Sequence, residues 1–461
     1  MRGLTLAASA FAFVCIAGGV LADSAAAAGA RTTAAQVLSD GRWVTTPVRT
    51  TADVEGFRPH PHVELSRYGG WKARRAEATG FFRTVKLDGR WWLVDPEGYL
   101  FISVGVNSVS REGANSDLAV ARRVFGDVRS WADQTVQLLT GRGFNSLGCW
   151  SDWRSIRASA RPMPYFPRWN FMLTYKNQRD PKYGPRGYPN QCMPLFDADF
   201  EAFCNRHARQ LAATKDDPWL VGHFSDNELP FRPNLLNLYL ELPNTDPGHR
   251  AARAWLDRRR RAHNTPTDAE ITEAEQDGFL EHAAQRYYSI VNAAIKRHDP
   301  NHLYVGSRVH GRTIIDPVFR GARAADVVSV NYYHRWSAEH ERMDRWVKAS
   351  GRPFLNSEWY AQQVDNENAE VSGAGFKVRT QRDRGLFYQN LVLGLLEHPG
   401  CVGWHWFKYG GDGAGYSKGI VSREYQPHAE MLDVMRAVNE QVYPLIAHFH
   451  GRSDGTVGAN Q

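Results

Sequence analysis

The sequence predicts an α/β protein built on a single (β/α)8 TIM barrel, and three observations support this fold class. Apolar strand-like segments alternate with helix-like segments over residues 80–448, as in a parallel sheet with covering helices. No Gly-x-Gly-x-x-Gly pattern follows the first of these strands, which disfavours a doubly wound dinucleotide-binding sheet. Hydrophobic residues make up 43% of the chain and charged residues 23%, as in folded rather than disordered proteins.

The extreme N-terminus has the pattern of a secretory signal. Arg2 precedes an apolar run over residues 4–21, and Val20-Leu21-Ala22 supplies a small-residue cleavage site. We therefore expect residues 1–22 to be removed on export, leaving a secreted protein, extracellular or periplasmic, that makes no contact with a membrane. Export permits disulfides, but the remaining cysteines allow three pairings between which the sequence does not choose: Cys149, Cys192, Cys204 and Cys401.

A linker and a hairpin are expected between the signal and the barrel. Residues 23–79 lack sustained periodicity, and we interpret them as a linker and an irregular N-terminal arm. The dipeptide Asp88-Gly89 separates two runs of strand-forming residues, 82–87 and 91–94, which is a strong signal for a two-residue turn. The sequence therefore predicts a short N-terminal β-hairpin ahead of the first barrel strand.

The barrel strands are predicted from short apolar runs. These runs end at Asn107, Trp150, Asn227–Glu228, Val309, Tyr333, Glu358 and Trp406, and a weaker one spans residues 165–173. With the weaker run there are eight, the number that closes this kind of barrel.

Helices are predicted between these runs from the spacing of apolar residues. Thr267 and Glu270 form a capping-box pattern ahead of a long helix that ends near Arg297. About 75 residues separate Glu228 from Leu303, which is too many for one loop of a compact domain. We therefore expect a helical insertion after the fourth strand, on the side of the active site. Residues 449–461 are expected to form a flexible tail.

Two of the predicted strand ends carry a glutamate. Glu228 closes the fourth strand directly after Asn227, and Glu358 closes the seventh. These ends face each other across a barrel, and carboxyl groups about 5–5.5 Å apart suit a retaining glycosidase. One carboxyl group would protonate the leaving oxygen while the other, ionised, attacks the anomeric carbon. Asn227 could bind the sugar 2-hydroxyl. Ordinary surface positions for both acids are the alternative interpretation.

This arrangement resembles a known group of enzymes. An Asn-Glu pair at the fourth strand with a Glu at the seventh resembles the retaining (β/α)8-barrel glycosidase clan. Longer strings are similar to glycoside hydrolase family 50, the β-agarases, at residues 88–98, 216–220, 225–230, 326–333 and 403–407. The resemblance extends from about residue 80 to residue 444 and covers most of the chain.

The resemblance implies an activity and two catalytic roles. Glu228 would be the acid/base and Glu358 the nucleophile of a β-agarase that cleaves an agar-type galactan without a metal or other cofactor. Family members often carry an additional N-terminal carbohydrate-binding domain. The residues between the predicted signal and the hairpin are too few for such a domain, which leaves the exact polysaccharide and the choice between endo and exo attack open.

Other side chains near strand ends are predicted to contact the sugar. Alternation along residues 328–333 places Asn331 and Tyr333 towards the barrel lumen, where Tyr333 could hydrogen-bond Glu358. Trp404 and Trp406 share a face, and one of them is expected to line a sugar subsite, with core packing as the alternative. The remaining candidates lie at the ends of other strands and are Asn107, Trp150 and Asp152.

The alternative functions come from other protein classes. His60-Pro61-His62 is a pattern found in metal-dependent barrel hydrolases, but it lies far ahead of the first barrel strand, and the strand-end histidines lack zinc-site spacing. A non-catalytic carbohydrate-binding barrel, or a retaining glycosidase acting on another β-linked polysaccharide, would also suit the pattern. The 56 basic and 49 acidic residues are spread along the chain without a nucleic-acid-binding motif, so we expect a polysaccharide or oligosaccharide partner and no nucleic acid.

Overall fold

The structure is a computed structural model, and it describes residues 33–111, 118–368, 371–413 and 415–451. The predicted signal at residues 1–22 lies outside the described residues, and so do residues 452–461 of the predicted tail. Within the described ranges, no helix combines the length and the apolar character that crossing a membrane requires.

Strands and helices alternate along most of the described chain. The strands are β1 (Ala34–Ser39), β2 (Arg42–Pro47), β3 (Trp71–Arg75), β4 (Arg83–Leu87), β5 (Arg90–Val94), β6 (Tyr99–Phe101), β7 (Ser103–Val106), β8 (Ser146–Leu147), β9 (Gly222–His223), β10 (Leu303–Tyr304), β11 (Val309–His310), β12 (Val328–Asn331), β13 (Phe354–Trp359), β14 (Ala361–Val364), β15 (Phe376–Val378), β16 (Cys401–Trp406) and β17 (Tyr416–Ser417). The helices are α1 (Leu118–Phe125), α2 (Val128–Thr140), α3 (Trp153–Arg157), α4 (Phe171–Gln178), α5 (Phe200–Ala208), α6 (Leu235–Leu240), α7 (Pro247–Ala262), α8 (Glu273–His298), α9 (Asp316–Gly321), α10 (His340–Ser350), α11 (Gln381–Glu397), α12 (Ala429–Asn439) and α13 (Val442–Phe449).

Parallel strands form the centre of the fold. Six of them lie in one sheet in the order β11-β12-β13-β16-β7-β8, and β9 pairs in parallel with β10. Tyr165 forms isolated parallel bridges with both Leu147 and Leu220, which connects β8 to the segment that leads into β9. The mixed α/β class with parallel strands is therefore confirmed. The weak strand predicted at residues 165–173 is corrected, because α4 already begins at Phe171.

Apolar side chains of the parallel strands and of the segments beside them pack into one cluster. It contains residues that precede or begin strands, such as Val221 and Leu303, and residues that follow them, such as Cys149 and Phe224. Tyr68 and Phe82, from the chain ahead of β7, join the same cluster. In folds of parallel strands covered by helices, ligands bind at the carboxyl ends of the strands, so polar groups at those ends are the candidates for a site.

The hairpin at Asp88-Gly89 forms as predicted. β4 and β5 pair antiparallel with Leu87 opposite Arg90, and both turn residues have the positive φ that such a turn needs, 54° and 81°. The buried Arg90 guanidinium donates to carbonyl oxygens near the start of β16, those of Leu396, His398 and Cys401. The hairpin is thereby fixed to the amino end of the parallel strands.

The prediction of an irregular arm over residues 23–79 is wrong for the part that the structure describes, residues 33–79. β1 and β2 form a hairpin around Asp40-Gly41, and they join a sheet in the order β17-β14-β15-β1-β2. β3 joins the hairpin sheet through β6. The turn residues have φ values of 49° and 73°, which shows that the same Asp-Gly geometry operates here as in the second hairpin.

Three helices follow β9, which agrees with the helical insertion expected after the fourth strand. The capping box lies at Thr272 and Glu275 rather than at Thr267 and Glu270. The predicted position of the capping box is wrong. The buried Arg260 guanidinium donates to the carbonyl oxygens of Thr267 and Glu270 and pairs with Glu275. Those carbonyl groups are therefore fixed in the loop between α7 and α8.

The cysteines whose pairing the sequence leaves open are buried and unpaired: Cys149, Cys192, Cys204 and Cys401. Burial raises the pKa of each of these thiols. They therefore stay protonated and pack as small apolar side chains.

Candidate active site

Glu228 and Glu358 both lie at carboxyl ends of the parallel strands. Glu358 is the penultimate residue of β13 and is 8% exposed. Glu228 follows β9 after a short loop, and its backbone N–H lies within bonding distance of the carbonyl oxygens of Ser307 and Arg308. These bonds, together with a φ of 55° at Glu228, turn the chain at this strand end and fix the position of the side chain.

Both carboxylate oxygens of Glu358 accept hydrogen bonds. The Arg308 guanidinium donates to Oε2 at 2.7 Å, and the Tyr333 hydroxyl donates to Oε1 at 2.7 Å, as predicted for Tyr333. Burial, and then the charge of Glu358, raises the pKa of Tyr333 well above its usual range, so the phenol remains a donor. Hydrogen bonds from a guanidinium and a phenol thus fix the orientation of the Glu358 carboxyl group.

Two asparagines connect this pair to Glu228. The Asn331 amide donates to Glu228 Oε1 at 2.9 Å and to Asn227 Oδ1 at 3.4 Å. Arg308 donates to the same Oδ1 at 2.8 Å. Because the protein uses the carbonyl oxygen of Asn227, its NH2 group is the part that can donate to a sugar hydroxyl. The Ser357 hydroxyl donates to Asn331 Oδ1 at 2.9 Å and fixes the orientation of that amide.

A single hydrogen-bonded network therefore joins the two glutamates, in the order Glu358, Arg308, Asn227, Asn331, Glu228. The sequence analysis brought out every member except Arg308. Arg308 is fully buried, so its charge must be compensated inside the protein. The sequence did contain one signal for Arg308. It is the only charged residue within residues 303–309, and a charged side chain is rarely buried among apolar ones unless it has a partner.

Aromatic rings surround Glu358 and Arg308. The Arg308 guanidinium lies 4.3 Å from the Trp150 ring, and Trp150 is 5.9 Å from Phe407. Phe407 lies 5.7 Å from Tyr360, which lies 5.5 Å from Tyr333. Trp150 and Phe407 are only half-buried, so they are rings on which a sugar could stack. The structure thus places Trp150 beside the site. Phe407 was not predicted as a sugar contact, because the strand was expected to end one residue earlier, at Trp406.

The sugar-subsite prediction for Trp404 and Trp406 is wrong. Both are fully buried, and the Trp404 indole N–H donates to the Tyr388 hydroxyl of α11 at 2.7 Å. Trp406 packs against Trp359 and Tyr388, with ring centroids 5.0 and 5.8 Å away. The two tryptophans therefore face the helices, and the alternation places His405 on the inner side, 2.9 Å from Ser103 Oγ.

The sugar-contact prediction for Asn107 is also wrong, and that for Asp152 stays a prediction. Asn107 is fully buried, and its amide donates to the carbonyl oxygens of Ser357 and His405, so it braces the strand that carries Glu358. Asp152 accepts from the N–H and hydroxyl of Ser155 and caps α3. The Asn107 amide and the Asp152 carboxylate are thus both hydrogen-bonded to backbone groups.

A buried group with metal-ligand chemistry consists of His223, Asp299 and His302. Both imidazoles bond the Asp299 carboxylate at 2.8 Å, while the Trp169 indole N–H donates to His223 Nδ1 and His302 Nε2 bonds the carbonyl oxygen of Asp217. Burial raises the pKa of Asp299, but the hydrogen bonds from the two histidines outweigh it and hold that pKa well below its usual range. Because every ring nitrogen has a protein partner, this group is a hydrogen-bonded brace between β9 and the chain before β10.

A cavity of about 500 Å³ lies at the opposite end of the strands. It is bounded by residues 60–69, by Ile102 and Val104 at the start of β7, and by Tyr443. His60 and His62, which suggested a metal-dependent hydrolase, line this cavity, on the other side of the parallel strands from Glu228 and Glu358. The histidine pattern and the glutamate network are thus separate features.

Two β-agarases are among the known proteins to which this chain is similar. No protein-family model matches the chain. The chain is 24% identical over 82% of its length to β-agarase B of Vibrio sp. (strain JT0107), and 25% identical over 80% of its length to β-agarase A of the same strain. It spans about half the length of these curated relatives, 50% of the first and 46% of the second.

Solved structures give a closer match. The crystal structure of BpGH50 superposes with a TM-score of 0.81 at 28% identity, covering 91% of this chain and 96% of that one. The structure of an exo-β-agarase superposes with a TM-score of 0.71 at 22% identity, covering 86% of this chain and 69% of that one, and this match concerns the fold alone.

Proposed function

We propose that this chain, which belongs to the β-agarase-like glycoside hydrolase family 50, is a retaining enzyme that cleaves β-galactosidic linkages in an agar-type galactan. One observation carries the proposal: two glutamates share a hydrogen-bonded network but occupy different environments. Glu358 lies between the cationic Arg308 and the phenol of Tyr333, whereas Glu228 accepts from the neutral amide of Asn331. Two carboxyl groups with different donors suit two different roles in one reaction.

The proposed reaction is a double displacement. Glu358 attacks the anomeric carbon while the glycosidic bond breaks, and the proton of Glu228 passes to the leaving oxygen. Glu228 then takes a proton from water, and the resulting oxygen nucleophile displaces Glu358 from the sugar. The NH2 group of Asn227 donates to the sugar 2-hydroxyl, an interaction that strengthens as positive charge develops on the ring.

We also propose that the parallel strands close into the predicted (β/α)8 barrel. The six-stranded sheet accounts for much of the ring, and the bridges at Tyr165 support continuity between β8 and β9. β10 pairs with β9, and the N–H groups of Asp326 and Val327 donate to the carbonyl oxygen of Tyr304, which supports a link from β10 to β12. An experimental structure with an open edge between these strands would exclude closure.

The agar-type substrate is supported by the names of the relatives rather than by a contact. A retaining glycosidase acting on another β-linked polysaccharide is the second candidate. The test is digestion of agarose, porphyran, other galactans, β-glucan, β-mannan and an aryl β-galactoside, with Glu358→Gln as the inactive control. We expect galactan cleavage, with the β anomer of the product appearing first in proton NMR. Release from glucan or mannan alone would exclude the galactan, an α anomer would exclude retention, and sugar binding without cleavage would indicate a non-catalytic barrel.

We propose, finally, that the protein is exported and that residues 1–22 are removed. The support is the sequence pattern of Arg2 and the apolar run that follows it. Expression of the full chain in a bacterium that exports proteins, followed by N-terminal sequencing of the secreted fraction, tests this. We expect a mature N-terminus just after Ala22, and an uncleaved chain retained in the cytosol would contradict export.

A further inference from the structure

Arg168 places a guanidinium group beside the proposed active site. It ends the short extended segment that bridges Leu147 and Leu220, and it forms an isolated parallel bridge with Phe224. Its side chain is half-buried and lies over the Trp150 ring, 4.8 Å from the centroid. Within the described ranges of the chain, the guanidinium has neither an ion pair nor a hydrogen-bond acceptor. Its N–H groups are therefore available to a ligand.

The Arg168 side chain faces the inner side of the parallel strands. Phe166, two residues earlier, contacts the inward His405 ring, with centroids 4.8 Å apart. Because side chains alternate along an extended segment, residues 166 and 168 share a face, and residue 168 is nearer to the carboxyl end. The Trp150 ring beneath the guanidinium is also 4.3 Å from Arg308, the cation of the glutamate network. Arg168 therefore lies at the edge of the same site.

The guanidinium of Arg168 is partly dehydrated in this position. Burial lowers its pKa, and the charge of Arg308 acts in the same direction, whereas several neighbours, among them Asp226 and Glu358, oppose the change. A charged donor that has lost water without gaining an acceptor costs free energy. A bound ligand that supplies acceptors would recover part of that cost.

The nearby carboxylates do not bind this guanidinium directly. Asp226 accepts from the N–H groups of residues 172 and 173 at the start of α4 and from the Tyr287 hydroxyl. The two oxygens of Glu358 accept from the guanidinium and the phenol described above. Both carboxylates therefore act on Arg168 through their charge and leave its N–H groups unused.

The balance of charge favours a neutral ligand for Arg168. The charges of Asp226 and Glu358 already counter the two cations Arg168 and Arg308. Glu228, two residues after Asp226, adds a third carboxyl group to this side of the site. An anion bound at Arg168 would be repelled by these carboxylates, whereas sugar oxygens accept hydrogen bonds without adding charge.

We infer that Arg168 is a substrate-binding residue whose guanidinium donates two hydrogen bonds to the oxygens at C3 and C4 of the galactosyl unit that Glu358 attacks. The guanidinium fork presents two parallel N–H groups, which suits oxygens on adjacent carbons. Asn227, three residues after the Phe224 bridge, takes the 2-hydroxyl, so C3 and C4 carry the next pair along the ring. This inference rests on the proposed function and adds a determinant of sugar specificity to it.

The first test measures binding and turnover of a neutral agarose hexasaccharide. Arg168→Met keeps the length of the side chain and removes its donors. We expect KM, and the Kd of the inactive Glu358→Gln protein, to rise at least about tenfold with this change, the factor that one charge-assisted hydrogen bond supplies. Arg168→Lys keeps the charge beside Trp150 and loses the fork, so its KM should also exceed the native value.

Arg259→Met is the matched control for the loss of a guanidinium group. Arg259 is half-buried like Arg168 and lies over a tryptophan ring, 5.5 Å from the centroid of Trp255, but it belongs to α7. Its removal should leave KM and Kd unchanged. Thermal unfolding shows whether each variant folds, and Arg168→Lys decides the question if Arg168→Met does not fold.

The second test removes the proposed acceptors from the substrate. The native protein should have a lower kcat/KM for aryl β-galactosides that lack the 3- or the 4-hydroxyl group than for the complete galactoside. In Arg168→Met the missing hydroxyl should cost little more, because its donor has already gone. Losses that multiply in full would show that Arg168 acts through the fold and not through the sugar, which would overturn the inference.

The remaining outcomes separate the inference from the proposed function. Native KM and Kd in Arg168→Met, or a native KM in Arg168→Lys, would overturn the contact while cleavage of agarose still supports the enzyme. An effect of Arg168→Met confined to sulfated or uronate-bearing oligosaccharides would overturn the neutral ligand. Binding of the hexasaccharide by a native protein that cleaves no galactan would exclude the hydrolase, and the change in Kd would still decide the role of Arg168.

Discussion

Each glutamate in the site depends on a few identifiable donors. Glu358 is held by a buried guanidinium and a phenol, and removal of either donor changes a different property. Loss of Arg308 would leave the buried carboxylate of Glu358 and the amide oxygen of Asn227 without their shared cation, which threatens folding as well as activity. Loss of the Tyr333 hydroxyl removes one hydrogen bond and leaves the packed ring in place, so it is the cleaner test.

We expect Tyr333→Phe to lower kcat about 10²-fold, the cost measured elsewhere for one preorganised donor at a reacting group. KM should change less, because the ring that borders the sugar remains. Steady-state kinetics on an aryl β-galactoside measures both. Tyr332→Phe is the control, since the neighbouring hydroxyl donates to Glu339 and not to the site. An unchanged kcat in Tyr333→Phe would show that Tyr333 acts only through its packed ring, and equal losses in the two variants would show that the loss is not specific to the hydrogen bond with Glu358.

The roles of Glu228 and Glu358 are distinguished by rescue with azide. In Glu358→Ala the anion replaces the missing nucleophile, so it attacks the anomeric carbon once and gives the α-galactosyl azide. In Glu228→Ala the covalent intermediate still forms from a substrate with a good leaving group, and azide then displaces Glu358 to give the β-galactosyl azide. Proton NMR of the two products assigns the roles, and exchanged anomers would reverse them.

Single elements show where local signals suffice and where they do not. The hairpin at Asp88-Gly89 was predictable because runs of strand-forming residues flank the turn on both sides. Asp40-Gly41 carries the same signal, but the hairpin it forms depends on pairing with β15, more than 300 residues away along the chain. For β16, alternation alone showed that Trp404 and Trp406 share a face. Which face points inward depended on Tyr388 of α11, which the strand sequence does not reveal.

The connection between α7 and α8 makes an element-scale prediction. The Arg260 guanidinium is 3% exposed, pairs with Glu275 and holds two loop carbonyl groups. Arg260→Gln leaves these acceptors and the Glu275 charge without their partner, so we expect a loss of about 3–5 kcal/mol in the free energy of unfolding. Denaturant unfolding measures the loss.

Arg258→Gln removes the same charge from an exposed position on α7 and should cost less than about 0.5 kcal/mol. Hydrogen exchange of the amides at residues 263–275 should accelerate only in the Arg260 variant. Unchanged exchange there would mean that the loop does not depend on this ion pair.

At the scale of the whole molecule, the sequence predicted the fold class and the two catalytic candidates for one physical reason. Parallel strands covered by helices bring the ends of separated apolar runs together, so Glu228 and Glu358 could be paired without knowing any contact. The hydrogen-bonded network between the two glutamates was harder to predict from the sequence. Arg308 directly precedes β11, and it is recognisable as a site residue only when its partners Asn227 and Glu358 are seen.

The same buried interior determines how the molecule responds to acid. His405 is fully buried on the inner side of β16, and burial, followed by the charge of Arg308, lowers its pKa to about 3. An unfolded histidine titrates near 6.5, so between these values the unfolded chain binds a proton that the folded chain does not. The free energy of unfolding therefore falls as the pH is lowered below about 6.5, by about 1.4 kcal/mol per pH unit from this group.

We expect His405→Asn to remove this contribution to the slope between about pH 6.5 and 5, a window that lies above the protonation of most carboxylates. The variant will be less stable overall because the packed ring is lost, so the slope, not the level, is the quantity to compare. Urea unfolding at several pH values measures it. His340→Gln, at an exposed position on α10, should keep the native slope. If the His405 variant keeps it as well, the acid sensitivity comes from other buried histidines, and the ring of His405 already carries a proton in the folded protein.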